Sequence, residues 1–322
     1  MEHLRLRRTV RTERFAPEGT TLLLFVHGGL GDRIVFEAIV RAAIERSAGR
    51  KRIVAVIPFH DDEYDARRYP IAPDEVWVLD QLPPDDVVPL AQRVQRSGLA
   101  AFGWAGQVET ICHGPPGAGV AREAEGCRFV EPYSHLAELA GGAIYPRFVP
   151  TPDARAQAAA WAGALRGEDG RPVIALHCRT RERDAGKNPD PGDVARAAHL
   201  LREALGARTV AIGDDVPPAL AREVDTRIVD YDPRLDDLGA HLEACSLLVG
   251  GESGPLHLAA AVGTPVVGLL APGKGDGSWG PFAPSTRKRV LPGRDGPPGV
   301  PLRFAPEAIL SAARELLAMR GS

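Results

Sequence analysis

Residues 247–272 read LLVGGESGPLHLAAAVGTPVVGLLAP, and this stretch decides the fold class. It begins with a short apolar run, turns at two glycines and a Glu-Ser-Gly segment, and enters a helix at Pro255. Pro at the first helical position and Ser just before it are helix-start signals. The helix ends at Gly263, and an apolar strand follows at 266–270. The stretch therefore predicts a strand, a glycine-rich turn, a helix and a second strand.

The glycine-rich turn lies where this helix begins, and it has two interpretations. Unpaired backbone N–H groups and the positive end of the helix dipole make such a position suitable for phosphate. The alternative is an ordinary β-α-β crossover whose glycines only form the corner. The spacing alone does not separate the two.

The segment G-E-S-G-P-L-H-L-A-A-A-V-G-T-P-V-V-G-L resembles the donor-site segment of glycosyltransferase family 9, the heptosyltransferase-like enzymes. That family has an acidic residue, Ser or Thr, Gly, a variable pair and His, followed by an Ala-rich helix and G-T-P. Glu252 departs from the pattern, because the family usually has Asp there. The resemblance implies an α/β protein of GT-B architecture, with two doubly wound, Rossmann-like domains facing each other across a cleft.

Length, composition and charge are those of a globular protein. A chain of 322 residues is long enough for two domains, and 44% hydrophobic and 25% charged residues are ordinary values. The net charge of −3 gives no basic field for a nucleic acid. No apolar run approaches the roughly 20 residues that span a bilayer. We therefore expect no nucleic-acid partner and at most peripheral contact with a membrane.

The N-terminus and the cysteines favour a cytoplasmic location. Residues 1–15 are basic but lack the apolar core of a secretory signal, and Leu4 and Leu6 alternate with polar residues as in a short edge strand or a solvated arm. The cysteines lie far apart and without metal-like spacing, at Cys112, Cys127, Cys178 and Cys245. Such thiols are expected to stay reduced.

Strand and helix patterns alternate along the chain, which predicts parallel sheets with helices on both faces. Predicted strands cover residues 21–26, 52–59, 75–79, 172–177, 208–212, 226–229, 247–249 and 266–270. Predicted helices cover residues 33–47, 85–95, 129–139, 153–165, 192–205, 217–224, 235–244, 255–262 and 306–319. The glycine- and proline-rich region 98–126 gives no clear pattern.

Three prolines within residues 145–152 predict a linker between two domains. The resemblance then implies an acceptor-binding domain at 1–148 and a nucleotide-sugar donor domain at 149–322. In proteins of this architecture the final helix often crosses back onto the first domain, and the helix at 306–319 is a candidate for that.

A glycine turn follows the first strand, in His27-Gly28-Gly29-Leu30-Gly31-Asp32. It does not satisfy the G-x-G-x-x-G pattern of dinucleotide folds. In family 9 a Gly-Asp at this place supplies the catalytic base, so the resemblance implies that Asp32 takes the proton of the acceptor hydroxyl. The alternative is that Asp32 caps the following helix. The acceptor side is assigned to His27, Gly28, Gly29 and Arg33, the last at a position where the family usually has an apolar residue.

A charge-dense loop, HCRTRERDAGKNP at 177–189, follows the strand at 172–177. A solvated surface is one interpretation. The resemblance implies another, because family 9 enzymes carry an Arg-rich loop that ends in a Lys followed shortly by Pro, and that lysine contacts the donor phosphates. Cationic side chains stabilise the charge on a departing diphosphate without a metal. Lys187 is the first candidate for this role, with Arg179 and Arg181 after it.

The central stretch supplies the other donor-site candidates. Backbone N–H groups around Ser253, Gly254 and Leu256 are expected to hold the diphosphate, and the Ser253 hydroxyl is a further candidate. Glu252 is expected to bind sugar hydroxyls or to pair with a nearby base, because it would repel phosphate. His257 is either a buried helix histidine or a donor contact, and the sequence does not decide between the two.

Gly213 and Asp215 follow the strand at 208–212, where the family often has a glycine loop and then a Glu for the donor ribose. No Glu is present, so the identity of the nucleotide stays open. Asp230-Tyr231-Asp232 matches the metal-binding D-x-D of the other large glycosyltransferase fold, and without that context it is interpreted as chance. The glycine-rich loop at 273–280 is either a mobile loop over a cleft or a surface turn.

The resemblance as a whole implies an inverting, metal-independent glycosyltransferase that moves a sugar from a nucleotide-diphosphate donor to an acceptor hydroxyl. The default donor is an ADP-activated heptose, with no cofactor besides this co-substrate and no metal site. The acceptor is a carbohydrate, a glycolipid or a small secondary metabolite. Two alternatives stay open: a GT-B-fold sugar-nucleotide epimerase that recruits His27 and Glu252, and a non-catalytic sugar-nucleotide-binding protein.

Overall fold

The computed structural model describes residues 7–8, 20–26, 30–47, 51–58, 75–79, 108–113, 127–130, 144–178, 187–213, 215–228, 235–273, 280–281, 283–294 and 300–320. In the first 143 residues, side chains are described only at positions 31 and 34–47. The chain divides into two compact units, Met1–Ile144 and Tyr145–Ser322.

The first unit contains a sheet of six strands in the order β1-β4-β3-β2-β5-β6. The strands are β1 (Arg7–Arg8), β2 (Thr20–Val26), β3 (Lys51–Pro58), β4 (Glu75–Leu79), β5 (Val108–His113) and β6 (Cys127–Val130). Neighbours pair in parallel except β1, which lies antiparallel to β4 at the edge. The chain winds outward in opposite directions from β2 and β5, so the strand order reverses between these two. Such a reversal is the topological switch point of a doubly wound sheet.

Helix α1 (Leu30–Ser47) leaves the carboxyl end of β2, beside this switch point. It begins three residues earlier than predicted, so Asp32 is the third residue of its first turn. Asp32 therefore does not occupy the N-cap position, although a carboxylate in the first turn still interacts favourably with the helix dipole. Residues 34–43 of the helix are all buried, including the ion pair of Arg41 Nε with Glu37 Oε1 at 2.9 Å.

The second unit contains a fully parallel sheet of six strands in the order β12-β11-β10-β7-β8-β9. Its strands are β7 (Val173–His177), β8 (Arg208–Ile212), β9 (Thr226–Ile228), β10 (Leu247–Gly251), β11 (Val266–Leu270) and β12 (Lys288–Pro292). Its helices are α2 (Pro152–Arg166), α3 (Pro191–Leu205), α4 (Pro218–Ala221), α5 (Leu235–Ala244), α6 (Gly254–Val262) and α7 (Pro306–Arg320), with a 3₁₀ turn at Ser285–Arg287.

Alternate residues of the central strands face the main core of this unit. Ile174, Leu176, Leu247 and Val249 join the apolar faces of α3 and α7 in one cluster. Side chains alternate between the two faces of a strand, so the intervening residues lie on the other face. The last helix thus packs within its own unit, and its crossing to the first domain stays a prediction.

Three parts of the sequence-based assignment need correction. The helix predicted at 129–139 is wrong at its start, because residues 129–130 belong to β6 and pair with β5. Pairing with a neighbouring strand outweighs local preference in a sheet. Strands β5 and β12 were not predicted, and α4 is shorter than the predicted 217–224. An edge strand, one of the two interpretations of the N-terminus, is present at Arg7–Arg8. The predicted helix at 85–95 lies outside the described residues.

Asp193 joins the start of α3 to the segment that leads into α7. Its buried carboxylate accepts hydrogen bonds from Arg303 Nε at 2.7 Å, Arg303 Nη2 at 2.9 Å and the Phe304 amide at 3.0 Å. Burial alone would raise the pKa of Asp193, but these hydrogen bonds and the nearby Arg196 hold the pKa below its ordinary value. The carboxylate is therefore stabilised in its charged form.

Asp193→Ala is expected to lower the free energy of unfolding by about 2 kcal/mol, because the buried Phe304 amide loses its acceptor and Arg303 its partner. Urea denaturation at pH 7 measures this loss. The matched control is Asp153→Ala, which removes an exposed acid from the first turn of α2. Since the folded pKa of Asp193 is lowered, its contribution is present above about pH 4 and fades as the pH falls through the folded value. Equal losses in the two variants would contradict this role.

Candidate functional site

Strands β7 and β10 lie side by side at the switch point of the second sheet. The chain winds outward through β8 and β9 on one side and through β11 and β12 on the other. In open parallel sheets, ligands bind outside the carboxyl ends of the strands at this point. The carboxyl ends here are His177 and Gly251, and Gly250 is in register with His177. The sheet topology therefore places the candidate site at residues that follow these two strands.

Two glycines let separate segments pack closely on the end of β10. A Cβ atom on Gly250 would lie 3.1 Å from the carbonyl oxygen of His177, and one on Gly251 would lie 2.7 Å from Cδ of Pro189. The second distance is shorter than real Cβ contacts allow, so the absence of a side chain at 251 permits the close approach of the Lys187–Pro189 segment. This packing brings Lys187 next to the turn after β10.

Lys187 and Glu252 form an ion pair at this turn, with Nζ and Oε1 3.2 Å apart. The Glu252 side chain is 10% exposed and the Lys187 side chain 45% exposed. A largely buried carboxylate is thus held beside a cation that solvent and ligands can reach. Pairing with a base was one of the two roles expected for Glu252, and the partner is the lysine predicted to contact phosphate.

Ser253 occupies the N-cap position of α6 but does not cap the helix with its side chain. Its hydroxyl donates to the carbonyl of Gly251 at 3.0 Å, and its oxygen lies 3.1 Å from Nδ1 of His177. The hydroxyl is therefore directed toward the strand ends rather than over the start of the helix.

The start of α6 offers fewer open amides than the sequence suggested. Pro255 has no N–H, and the Leu256 amide donates to the carbonyl of Ser253 at 3.1 Å. The His257 amide is directed to the same oxygen at 3.4 Å. Gly254, the first residue of the helix, has no acceptor within the helix for its own N–H. Gly254 is therefore a better supported phosphate contact than Leu256, and both stay predictions.

The two histidines of this region are buried and uncharged near neutral pH. His177 and His257 are each 4% exposed, and burial lowers the pKa of each to about 4. Neither imidazole therefore supplies a positive charge for phosphate at pH 7. His257 is a buried helix histidine, which was one of the two interpretations of this residue.

Because burial lowers both pKa values, the protein is expected to lose stability as the pH falls from about 6.5 to 4. In that range the unfolded chain binds protons that the folded chain does not. Each histidine is expected to lower the free energy of unfolding by up to about 3 kcal/mol. Urea denaturation at pH 7, 6 and 5 measures the effect. His257→Asn should make the free energy of unfolding depend less on pH. The control His199→Asn, at an exposed histidine, should leave this dependence as in the wild type. A wild-type stability that stays constant from pH 7 to 5 would contradict this account.

Gly213 and Asp215 lie at the same edge of the sheet, after β8. Gly213 has a φ of +106°, and its amide donates to the carbonyl of Ile228 at 3.1 Å. Asp215 is exposed. Since β8 is the neighbour of β7, both residues lie one strand from the switch point.

Several predicted site residues lie outside the part that the structure describes. These are His27, Gly28, Gly29, Arg179 and Arg181, together with the D-x-D at 230–232 and residues 274–279 of the glycine-rich loop. For Asp32 and Arg33 only the backbone is described, in the first turn of α1.

Sequence reasoning gave His177 no role of its own, because it treated this residue as the first member of a charged loop. The available signal was its place at the end of an apolar strand, which makes burial expected. Among the described residues, no group of three His, Cys, Asp or Glu side chains is placed to hold a metal ion. None of the helices in the described ranges has the length and apolar character needed to span a bilayer.

Comparison with solved structures gives the fold class. A glycosyltransferase family 9 structure from Veillonella parvula has a TM-score of 0.64 at 18% identity, covering 93% of this chain and 97% of that one. The structure of E. coli ADP-heptose lps heptosyltransferase II has a TM-score of 0.62 at 14% identity, covering 94% and 100%. E. coli heptosyltransferase WaaC with ADP has a TM-score of 0.54 at 15% identity, covering 92% and 99%. The fold is therefore GT-B, as expected.

A family model matches part of the sequence. Residues 219–292 match the family model described as "Glycosyltransferase family 9 (heptosyltransferase)". This match confirms the resemblance to family 9 over that part of the second unit, and it supports the interpretation of the chain as a glycosyltransferase. The matched segment contains Glu252, Ser253 and the whole of α6, but not Lys187 or His177. Among curated proteins, no sequence matches this chain.

Proposed function

We propose that the chain is an inverting glycosyltransferase that uses a nucleotide-diphosphate sugar and needs no metal ion. The observation that carries this proposal is the arrangement at the switch point of the second sheet. There Lys187, Glu252 and the start of α6, which the Ser253 side chain does not cap, lie together, and the last two belong to the segment that matches family 9.

In the proposed reaction, the donor diphosphate binds against the Gly254 amide and the Lys187 ammonium. The carbon–oxygen bond between the sugar and the diphosphate breaks as the acceptor oxygen attacks, and the negative charge moves onto the departing diphosphate. A fixed cation and a helix N-terminus stabilise that charge in the transition state. Lys187 must exchange part of its contact with Glu252 for the phosphate, so Glu252 becomes free to accept hydrogen bonds from sugar hydroxyls.

Asp32 is proposed as the base that takes the proton of the acceptor hydroxyl. Its backbone lies in the first turn of α1, after the carboxyl end of β2 at the switch point of the first sheet. This is the place in a doubly wound sheet where ligands bind. Residues 27–29 and Arg33 are proposed to contact the acceptor.

The proposed donor is an ADP-heptose, in line with the ADP and ADP-heptose named for the two E. coli heptosyltransferases of the same fold. The lipopolysaccharide named for one of them is a glycolipid, which makes a carbohydrate or glycolipid the first acceptor to test. The nucleotide sugar is a co-substrate, no other cofactor is proposed, and the protein is proposed to act in the cytoplasm.

A thermal-shift screen with ADP, UDP, GDP and CDP, with and without EDTA, tests the donor site. A ligand that binds only the folded state raises its stability, by about 2.7 kcal/mol when its concentration is 100 times Kd. We expect the largest rise with ADP and the same rise in EDTA. No rise with any nucleotide would contradict the proposal, and a rise that EDTA abolishes would contradict metal independence.

Product analysis tests the reaction class. A transferase consumes the nucleotide sugar in step with formation of a glycosylated acceptor, whereas an epimerase converts the nucleotide sugar when no acceptor is present. A protein that binds the nucleotide sugar and converts it under neither condition would be a non-catalytic binding protein.

A further inference from the structure

The Ser253 hydroxyl makes two short contacts, and only one arrangement of protons satisfies both. A hydroxyl has a single proton to donate. The carbonyl of Gly251, 3.0 Å away, can only accept, so the serine proton must point to it. The contact of 3.1 Å with Nδ1 of His177 is then a hydrogen bond only if Nδ1 carries a proton and donates to the serine oxygen. This assigns His177 the neutral tautomer with its proton on Nδ1.

This arrangement explains why a serine at an N-cap position leaves its helix uncapped. Serine is a favoured N-cap residue because its side-chain oxygen accepts a hydrogen bond from an amide of the first helical turn. Here the side chain is directed to His177 and to the carbonyl of Gly251 instead, and the Leu256 amide donates to the Ser253 carbonyl. The start of α6 is thus not covered by the serine side chain.

His177 is well suited to fix a hydroxyl in one position. It ends β7, its ring is buried, and its backbone lies against Gly250 in the neighbouring strand. A buried side chain anchored on the central strand of a sheet has little freedom to follow the serine. The donor to Ser253 Oγ therefore has a fixed place beside the start of α6.

We propose that His177 is a positioning residue for the donor site: its Nδ1–H holds the Ser253 hydroxyl toward the strand ends and so keeps the start of α6 open to a diphosphate. This inference rests on the proposed function, because it assumes that the diphosphate binds at that helix start. It also implies that Ser253 acts through its position, since its proton is directed to Gly251.

A double-mutant cycle with ADP as the probe tests the coupling between the two side chains. His177→Leu is expected to weaken ADP binding about 3- to 10-fold when Ser253 is present, the value of one neutral hydrogen bond, because the released hydroxyl can then cap α6. The same change is expected to have no further effect in the Ser253→Ala background, where no hydroxyl is left to release. The double variant should therefore bind ADP as Ser253→Ala does, because His177 acts only through the Ser253 hydroxyl. His177→Asn should bind within about twofold of wild type, since the asparagine amide donates from the place of Nδ1. Isothermal titration calorimetry measures the ADP affinity of the wild type and of the four variants.

A control variant, a replacement variant and an NMR measurement make the result specific. His241→Leu removes a histidine whose Nδ1 contacts the Asp237 carbonyl within α5, and it should leave ADP affinity unchanged. If His177→Leu does not fold, His177→Gln replaces it, because the glutamine amide reaches the place of Nε2 rather than that of Nδ1. Nitrogen NMR of the wild-type imidazole should show Nδ1 protonated at pH 7, and a proton on Nε2 instead would overturn the proposal.

The outcomes separate this inference from the proposed function. Wild-type affinity in His177→Leu, or a double variant whose loss is the product of the two single losses, would overturn the role of His177 alone. If the wild-type protein binds neither a nucleoside diphosphate nor inorganic pyrophosphate, the proposed function and this inference are both overturned.

Discussion

Asp32→Asn is expected to slow sugar transfer by about 10²-fold or more and to leave the affinity for ADP within about twofold. The amide keeps the size of the side chain and its place in the first turn of α1, but it cannot take a proton from the acceptor. The proposed diphosphate site belongs to the other unit, so its affinity for ADP is not expected to depend on this carboxylate. Steady-state transfer and ADP titration with the same preparation measure the two quantities.

The matched control for this variant is Glu45→Gln, which makes the same chemical change at an exposed position of the same helix. It should leave both transfer rate and ADP affinity unchanged. Unchanged turnover in Asp32→Asn would remove Asp32 from the mechanism. An equal loss of ADP affinity in that variant would mean that Asp32 serves binding rather than proton transfer.

Lys187→Ala is expected to weaken ADP binding by about 10- to 100-fold, which corresponds to a charge-assisted hydrogen bond of roughly 1.5–3 kcal/mol. The loss has two sources, since the phosphate loses a cation and Glu252 keeps an unpaired negative charge near it. A second variant separates them: Glu252→Gln added to Lys187→Ala should recover part of the affinity. Calorimetric titration of ADP into each variant measures these changes.

Lys288→Ala is the control for this series, because Lys288 lies at the amino end of β12 and therefore at the opposite edge of the sheet. Wild-type affinity is expected there. If Lys187→Ala also binds ADP like wild type, Lys187 does not belong to the donor site. If Glu252→Gln lowers the affinity of Lys187→Ala further, the carboxylate assists binding rather than opposing it.

The sequence predicted the second unit better than the first for a physical reason. The strands β7, β8, β10 and β11 are fully or nearly fully buried, so each appears as a short apolar run bounded by turn residues. By contrast, β6 reads Cys-Arg-Phe-Val, and its pairing with β5 involves residues that are distant in sequence. A local pattern carries no information about such a partner, and the last two residues of β6, 129–130, were wrongly predicted to begin a helix.

Residue types at the site were predictable, whereas their partners were not. The motif around 252–257 and the lysine before Pro189 indicated the candidate side chains, and the structure places Lys187 beside Glu252. The ion pair of Lys187 with Glu252 joins residues 65 positions apart, and it depends on Gly251 allowing the close approach of Pro189. The contact of His177 with Ser253 likewise depends on the neighbouring positions of β7 and β10. Both contacts follow from strand order, which one sequence does not reveal.

The most direct test of the central claim is a crystal structure of the protein with ADP. The account predicts that the diphosphate lies at the carboxyl ends of β7 and β10, with its oxygens within about 3 Å of the Lys187 ammonium and the Gly254 amide. A nucleotide bound elsewhere, with the ion pair of Lys187 and Glu252 intact and no phosphate at the start of α6, would contradict it.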